Sequence, residues 1–334
     1  MNNILKGKRI LFFSAKAFGI PENIVSTLEK FGAIVDYYDE RPANTFFVKA
    51  MIRINRNIIA TYINKYHNSI IKETIHNKYD YIFFIKGESF SEHNLKKLFS
   101  CHPEAKTVIY HWDSIANNKN AINLLDHFDY AYSFDEHDCE KLNMRFLPLF
   151  YFDEYKEVAR STLAKDYDML FVGTTHSDRY RFITTIANQI HSMGGKCYTY
   201  FFFQGKLMFY KAKLLTKSLR GVSIHNVHFK PVPKDSLLDL YKRSRIIVDI
   251  QHPRQTGLTL RCLESVGAKR KLITTNKEII HYDFYNESNI LVVDRNNPII
   301  NKAFVESDYI DIPKHIYEKY SISSWVISIF SSIQ

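Results

Sequence analysis

Short apolar runs alternate with amphipathic stretches along most of the chain. In the first half, apolar runs predict strands at 9–14, 33–38, 79–85, 106–111 and 130–134. The stretches between them have helical spacing and cover 21–31, 46–75, 92–99, 121–127 and 136–142. Helices between successive strands are typical of parallel βαβ units, so the pattern predicts a doubly wound α/β sheet.

The alternation restarts after a polar, charged segment at 153–165, which we expect to connect two domains. Predicted strands follow at 168–172, 196–203, 223–229, 245–250, 271–275 and 291–294. Predicted helices lie at 178–193, 206–219, 236–242 and 313–330, and a further helix opens at Gly257. The sequence therefore predicts an α/β fold of two Rossmann-like, doubly wound domains that face a cleft. We expect these domains at 1–152 and 153–312, with a C-terminal helix at 313–334 that packs back on the first domain.

The composition supports two domains and a reducing environment. With 334 residues, of which 46% are hydrophobic, the chain has enough apolar side chains for two cores. It has no apolar run of about 18 residues, as a membrane span needs, and no signal-peptide pattern after Met1. The four cysteines, Cys101, Cys139, Cys197 and Cys262, are scattered without zinc-site spacing. We therefore expect a cytoplasmic protein.

The formal net charge of +10 indicates an anionic partner. Between Lys196 and Lys230 there is no Asp or Glu, and basic residues are interleaved with Tyr and Phe; segment 46–75 also mixes basic and apolar residues. Such segments suit an anionic membrane surface. The alternative is that their apolar faces join the core while the basic residues are solvated. Nucleic acid is not an expected partner, because no helix-turn-helix, zinc-finger or RNP motif occurs.

The segment from Asp249 to Glu264 has features of a nucleotide site. A strand of buried type leads through a polar loop into a helix that opens at Gly257. Unpaired N–H groups and the helix dipole favour an anion at such a start, and glycine lets a phosphate approach closely. Arg261 and Glu264 are three residues apart and share one helix face. Together they could hold a diphosphate and a ribose; the alternative is an ordinary amphipathic helix with a surface Arg–Glu pair.

Three segments of the second half carry a resemblance to a known family. They are Phe171-Val-Gly173 with Arg179 and Arg181, the run from Leu240 to Asp249, and Gly257 to Glu264 followed by Lys271 to Asn276. These segments resemble the nucleotide-sugar-binding domain of GT-B glycosyltransferases, particularly the group-1 and CgeB-like enzymes of bacterial surface polysaccharide biosynthesis. In the first half, Phe84 to Gly87 and Tyr110 to Asp113 are similar to strand-end loops of that group. The resemblance covers 166–280 and implies a nucleotide-diphosphate sugar as donor substrate, with no cofactor.

The resemblance also implies roles for individual residues. The candidates for nucleotide binding are Gly173, Arg179, Arg254, Gly257, Leu258, Thr259, Arg261 and Glu264. Among them, Glu264 corresponds to the ribose-binding carboxylate, Gly257 to Thr259 lie near the diphosphate, and Arg261 is a charge partner. Retaining members of the group carry another glutamate eight positions earlier, where this chain has Thr256. The donor sugar and the anomeric outcome therefore stay open.

Glycosyl transfer requires stabilisation of the leaving phosphate and, for inversion, a base that takes the proton of the acceptor. Arginines, lysines and helix dipoles can stabilise the phosphate without a metal. The sequence Asp166-Tyr-Asp168 precedes its predicted strand, so no metal site is expected. The candidate catalytic bases are Asp113 and Glu88, which both follow predicted strands. For either one, the alternative is a carboxylate that caps a loop.

The sequence thus predicts a metal-independent, hexosyltransferase-type enzyme that extends lipopolysaccharide, capsule or a similar bacterial glycan. Its expected partners are a nucleotide sugar, a lipid-linked or oligosaccharide acceptor and an anionic membrane surface. We expect it in the cytoplasm, peripherally at the inner face of the plasma membrane. One alternative is a sugar-nucleotide epimerase of related fold, which needs no acceptor. Another is a catalytically silent nucleotide-binding scaffold, in keeping with Thr256 in place of glutamate.

Overall fold

The chain forms two compact α/β units. The computed structural model describes residues 3–17, 19–115, 119–175, 178–215, 219, 222–252 and 255–333. The first unit comprises Met1–Leu149, Arg254–Gly257 and Ile322–Gln334, and the second comprises Phe150–Pro253 and Leu258–Ser321. Each unit has its own parallel sheet, so the predicted α/β fold of two Rossmann-like domains is confirmed.

The first unit is built on a six-stranded parallel sheet with the order β2-β1-β3-β4-β5-β6. Its strands are β1 (Arg9–Ser14), β2 (Ile34–Asp39), β3 (Tyr81–Ile85), β4 (Lys106–His111), β5 (Tyr130–Ser133) and β6 (Arg145–Phe146). Its first helices are α1 (Ile20–Lys30), α2 (Phe46–Asn55), α3 (Ala60–Thr74), α4 (Glu92–Cys101), α5 (Lys119–Leu125) and α6 (Glu136–Leu142). The central strands are apolar and almost wholly buried, as expected for a sheet covered on both faces.

The second unit has a five-stranded parallel sheet with the order β11-β10-β9-β7-β8. Its strands are β7 (Tyr167–Thr174), β8 (Cys197–Phe202), β9 (Ser244–Asp249), β10 (Lys271–Thr274) and β11 (Ile290–Val292). Its helices are α7 (Asp153–Ala159), α8 (Arg179–Ser192), α9 (Lys206–Leu215), α10 (Lys234–Lys242), α11 (Leu260–Gly267), α12 (Lys302–Glu306) and α13 (Lys314–Lys319). Strands β7 and β9 lie near the centre, so the loops that follow them lie at one edge of the sheet.

The last helix, α14 (Ile322–Ser331), belongs to the first unit. Its Trp325 is 2% exposed and contacts the ring of Tyr110 edge-on, with centroids 4.8 Å apart. Just after the helix, the carbonyl of Ile333 accepts a hydrogen bond from Lys106 Nζ at 2.6 Å. The C-terminal residues are therefore part of the first core. No helix among the described residues combines the length and apolar character that crossing a bilayer requires.

Several predicted elements differ from those observed. The segment 153–165 contains α7, whose Tyr155 and Val158 are buried, because its charged residues occupy only the outer side of a short helix. The predicted strand at 223–229 is instead a 3-10 turn, Ile224–Asn226, followed by a single bridge between Phe202 and His228. One bridge is too little pairing to make a strand.

Two predicted helices are interrupted, and one starts later. The helix at 46–75 is divided by a 3-10 turn at Arg56–Ile59, where the side chain of Asn55 accepts from Asn57 N. The helix at 313–330 is divided into α13 and α14. The helix predicted to open at Gly257 begins at Leu260, because the Thr259 side chain caps it by accepting from Cys262 N.

Candidate functional site

Arg261, on the first turn of α11, connects the carboxyl ends of two neighbouring strands in the second unit. Its Nη2 donates to the carbonyl of Val172 at 2.8 Å, and its Nη1 lies 3.3 Å from Asp249 Oδ1. Its guanidinium also lies over the ring of Phe171, 5.6 Å from the centroid. Burial disfavours the charged form, but Asp249, Tyr241 and Glu264 outweigh it and raise the pKa of Arg261. The side chain is therefore a fixed cation.

Arg179, the first residue of α8, lies at the same strand ends. Its Nη2 donates to the carbonyl of Ile250 at 2.8 Å, and its Nη1 lies 3.3 Å from the carbonyl of Thr174. Its Nε is buried without a hydrogen-bond partner. Among the described residues, no carboxylate forms an ion pair with Arg179 within 4.0 Å. Burial, and then the positive charge of Arg261, lowers the pKa of Arg179 to about 10.

A third cation, Arg295, follows β11. It forms two hydrogen bonds of 2.7 Å with the carboxylate of Asp178 and donates to the carbonyl of Gln251 at 2.9 Å. Its charge also acts on Arg179 and lowers the pKa of that group. Three arginines therefore gather where β7, β9 and β11 end, and two of them have carboxylate partners. Arg179, which has no such partner among the described residues, therefore lies at the edge where parallel sheets bind ligands.

Glu264, one turn further along α11, is held by two tyrosines. The hydroxyl of Tyr241 donates to Glu264 Oε2 at 3.3 Å, and Tyr155 also donates to this carboxylate. Burial raises the pKa of Glu264, while Arg261 and the two tyrosines oppose that rise. The carboxylate is thus partly buried, fixed in position and on the same helix as Arg261.

The other predicted nucleotide contacts of the second unit lie close to Arg261. At Gly173, an added Cβ would lie 2.8 Å from the ring of Phe171 and in ordinary contact, at 3.5 Å, with Arg261 Nη2, so packing against Phe171 explains the glycine. The side chain of Leu258 is 1% exposed, and therefore only its backbone is available to a ligand. The hydroxyl of Thr259 caps α11. Predicted Arg254 lies outside the described residues.

Gly257 makes contacts other than those predicted for it. It belongs to the first unit, where its N–H donates to Asp135 Oδ2 at 2.9 Å. The same carboxylate accepts from the N–H of Thr256 at 3.1 Å. A Cβ at Gly257 would lie 2.6 Å from the ring of Phe134. Close packing therefore explains the glycine, and its N–H is engaged by a carboxylate in this structure.

The first unit has a cluster of charged groups where β2, β3 and β4 end. Glu88 is 7% exposed and accepts from Arg41 Nε at 2.7 Å, while Lys86 Nζ lies 3.1 Å from its other oxygen. The same ammonium lies 3.2 Å from Asp113 Oδ2. Burial opposes ionisation of Glu88, but Lys86 and Arg41 outweigh it and lower the pKa. The structure therefore brings both predicted base candidates to one lysine.

Two further titratable side chains are buried near this cluster. Glu40 is wholly buried, and neither carboxylate oxygen has a hydrogen-bond partner among the described residues. Burial, and then the charge of Glu88, raises the pKa of Glu40 well above its usual value. Burial and the neighbouring Lys86 lower the pKa of His111 to about 3. Burial therefore favours the protonated form of Glu40, and His111 is a neutral imidazole at neutral pH.

The sequence analysis missed Glu40, Arg41, Asp135 and Arg295 as members of these clusters. Each of them directly follows an observed strand or comes within a few residues of its end. Their position was the available signal, because the carboxyl ends of parallel strands collect at one edge. Within the part of the chain that the structure describes, no three His, Cys, Asp or Glu residues are grouped as metal ligands would be.

Two helices expose large apolar side chains beside basic ones. On α9 of the second unit, Leu207, Leu214 and Leu215 are 84%, 82% and 76% exposed. On α2 of the first unit, Phe46 and Ile54 are 67% and 77% exposed. Other residues of these helices, such as Val48 and Phe209, do join the cores. Each segment therefore has both a packed side and an exposed apolar side.

Solved structures with similar folds cover nearly all of the chain. An α,α-trehalose 6-phosphate synthase from Burkholderia multivorans has a TM-score of 0.58 and 9% identity, with 98% of this chain and 96% of that chain covered. A glycosyltransferase from Rickettsia africae has a TM-score of 0.54 and 12% identity, with 98% of both chains covered. An α-glucosyltransferase in complex with UDP and a 13-mer DNA has a TM-score of 0.56 and 13% identity, with 97% of both chains covered.

These similarities establish the fold. Together with the two parallel sheets, they show that the chain has the GT-B architecture of two Rossmann-like domains. No protein-family model matches the sequence, and no curated protein matches it at a significant level. A shared fold does not by itself assign chemistry, so the site residues must carry any functional conclusion.

Proposed function

We propose that the protein is a glycosyltransferase that uses a nucleotide-diphosphate sugar. The observation that carries this proposal is the group of three arginines at the strand ends of the second unit, with Glu264 on the same helix as Arg261. A diphosphate supplies the negative charge that this group lacks, and a ribose supplies hydroxyls for the carboxylate. The GT-B fold of the chain supports the same conclusion.

The diphosphate would be bound mainly by Arg179 and Arg261. Arg179 has no carboxylate ion pair among the described residues, so an anion there gains a charge-assisted hydrogen bond without breaking an existing ion pair. Such a bond is worth about 1.5 to 3 kcal/mol. The N-terminal end of α11 adds positive potential. During transfer, these fixed charges would stabilise the leaving phosphate without a metal.

Asp113 is the better candidate for the catalytic base. Both oxygens of Glu88 already contact cations, and its lowered pKa makes it a weak proton acceptor. The Asp113 side chain is 34% exposed, compared with 8% for Glu88, and is therefore the more accessible to an acceptor hydroxyl. In this proposal Asp113 takes that proton as the sugar is transferred, and Glu88 anchors the neighbouring cations.

A nucleotide-binding panel tests the donor site. Thermal stabilisation is measured with UDP, GDP, dTDP, ADP and CMP, with and without Mg²⁺. We expect one nucleotide to raise the melting temperature selectively. Arg179→Gln should weaken that nucleotide by about tenfold to a hundredfold, since it removes one charge-assisted bond. Glu264→Ala should weaken the binding of nucleotides that have an intact ribose.

The matched control is Arg243→Gln, which removes an arginine from the same unit. Arg243 pairs with Asp166 and Asp239 on the surface, so its loss changes the net charge by the same amount away from the strand ends. Unchanged affinity in Arg179→Gln and Glu264→Ala would refute the donor site. Selective binding without sugar transfer to any acceptor would favour the silent scaffold, and conversion of the nucleotide sugar without an acceptor would favour an epimerase.

We further propose that the acceptor is a lipid-linked or oligosaccharide intermediate of a bacterial surface glycan, reached at the inner face of the plasma membrane. The exposed leucines of α9 and the exposed phenylalanines of α2 support this proposal, as does the formal charge of +10. Burying one leucine in the interface gains roughly 1.5 to 3 kcal/mol, and lysines near anionic lipid add about 1 kcal/mol each.

Liposome sedimentation at low salt tests the membrane proposal. Vesicles containing phosphatidylglycerol should sediment the protein, and vesicles of phosphatidylcholine alone should do so less. The double substitution Leu214→Ser and Leu215→Ser should reduce binding to the phosphatidylglycerol vesicles. The control is Ile299→Ser, which replaces an apolar residue that is 69% exposed elsewhere in the same unit. Equal binding of both variants, or none by the wild type, would exclude α9 as a membrane contact.

A further inference from the structure

The turn after β3 has an unusual backbone conformation. Lys86 has φ of 72° and Gly87 has φ of 62°, so two successive residues are left-handed. That region is unfavourable for a residue with a side chain, and it persists where the surroundings impose it, often at functional sites. Here the N–H of Lys86 donates to the carbonyl of Tyr110 at 3.1 Å, which ties the turn to β4.

This turn directs a nearly buried ammonium group to two carboxylates. Lys86 is 6% exposed, and its Nζ lies 3.1 Å from Glu88 Oε2 and 3.2 Å from Asp113 Oδ2. Arg41 binds the other oxygen of Glu88. Glu88 is therefore held from both sides and in turn fixes Lys86, and Asp113 contacts the same ammonium at the more exposed end of the cluster.

We propose that Lys86 is a positioning residue for the general base Asp113, and that Glu88 and Arg41 hold Lys86 in place. The inference rests on the proposed transferase function. The ammonium orients the Asp113 carboxylate through the contact between Lys86 Nζ and Asp113 Oδ2. In this proposal Glu88 holds Lys86 in place and does not accept the proton itself.

Two other titratable groups lie around Lys86. Glu40, which follows β2, has a raised pKa, and His111 at the end of β4 is a neutral imidazole. Among the described residues, Lys86 forms ion pairs with Glu88 and Asp113, and Arg41 contacts Glu88 from the other side. Removing Lys86 takes away a positive charge that lies 3.2 Å from Asp113, and the loss of a nearby positive charge makes protonation of a carboxylate easier.

The pH dependence of turnover tests this role. The assay measures release of nucleoside diphosphate from UDP-glucose, or from the sugar of whichever nucleotide the binding panel selects. Lys86→Met should lower kcat at pH 7 about tenfold or more and move the acid limb of the kcat profile upward by about one pH unit. Lys86→Arg should restore most of the rate. Lys96→Met is the control, because the Lys96 side chain is 59% exposed and pairs with Glu92 on the surface of α4.

Each outcome is decisive. An acid limb at the same pH in Lys86→Met and the wild type overturns the inference. If Lys86→Met does not fold, Lys86→Gln replaces it, since its amide keeps a hydrogen-bond donor beside Glu88 without the charge, and the same upward shift is expected. A wild type that binds nucleotides but never releases product refutes the proposed function. An active wild type with an unshifted variant refutes only the role of Lys86.

Discussion

Replacing Gly257 with alanine distinguishes a packing role from a phosphate-binding role. The sequence suggests that this glycine lets a diphosphate approach the backbone. In the structure, a Cβ at this position would lie 2.6 and 2.7 Å from two ring atoms of Phe134 and 2.9 Å from its carbonyl oxygen. Phe134 is 1% exposed, so its ring has little room to move. We therefore expect Gly257→Ala to destabilise the first unit.

The size of this effect follows from the contacts. Overpacking a buried site by one methyl group costs about 1 to 3 kcal/mol. For a unit of this size, each kcal/mol lowers the melting temperature by about 2 to 4 °C, so we expect a decrease of roughly 2 to 12 °C. Displacement of the chain would also lengthen the 2.9 Å hydrogen bond from Gly257 N to Asp135. Adding Phe134→Leu to the Gly257→Ala variant should recover part of the lost stability, because it removes the ring of Phe134 but leaves the carbonyl oxygen.

Thermal unfolding and nucleotide titration of the same variants distinguish the packing role of Gly257 from a phosphate-binding role. Gly205→Ala is the control, because no atom lies within 4 Å of its added Cβ, and its melting temperature should stay near that of the wild type. If Gly257→Ala melts like the wild type but binds nucleotide less tightly, the packing argument is refuted and the glycine serves the phosphate.

Three further predictions concern titration and packing. Glu40→Gln should gain stability relative to the wild type as the pH rises from 5 to 9. The raised pKa of Glu40 in the folded wild type gives stability that is complete at low pH and is lost as the pH rises through that pKa. Urea unfolding at each pH measures the free energy of unfolding, and a variant that is less stable than the wild type at pH 8 would contradict this expectation. Nucleotide affinity of the wild type should fall as pH drops through the raised pKa of Glu264, and Glu264→Gln should show a flatter profile in calorimetric titrations. Gly267→Ala should destabilise the second unit, since its Cβ would clash with the ring of buried Tyr151; a melting temperature equal to that of the wild type would exclude this clash.

The class of fold could be predicted because its signal is local. A parallel strand covered on both faces is an apolar run, and Tyr81–Ile85 is apolar along its whole length. The short helix Asp153–Ala159 gave no such signal, because only two of its seven residues are buried. Helix α11 starts three residues later than the glycine predicts, because its cap is Thr259.

The candidate site could be predicted only in part. Arg261 and Glu264 share a helix face, which follows from their spacing alone. The partner of Gly257 could not be found in this way, because Asp135 lies 122 positions away in the chain. The same limit applies to Lys86 and Asp113, which lie 27 positions apart and meet only once the sheet has formed.

Hydrogen–deuterium exchange with the nucleotide that stabilises the protein tests whether the strand ends of the second unit bind it. We expect the nucleotide to protect backbone amides at the ends of β7 and β9 and in the first turn of α11, and we expect this protection to disappear in Arg179→Gln. Failure of every nucleotide to bind, or binding that leaves these three segments unprotected, would contradict the claim that this site holds a nucleotide sugar.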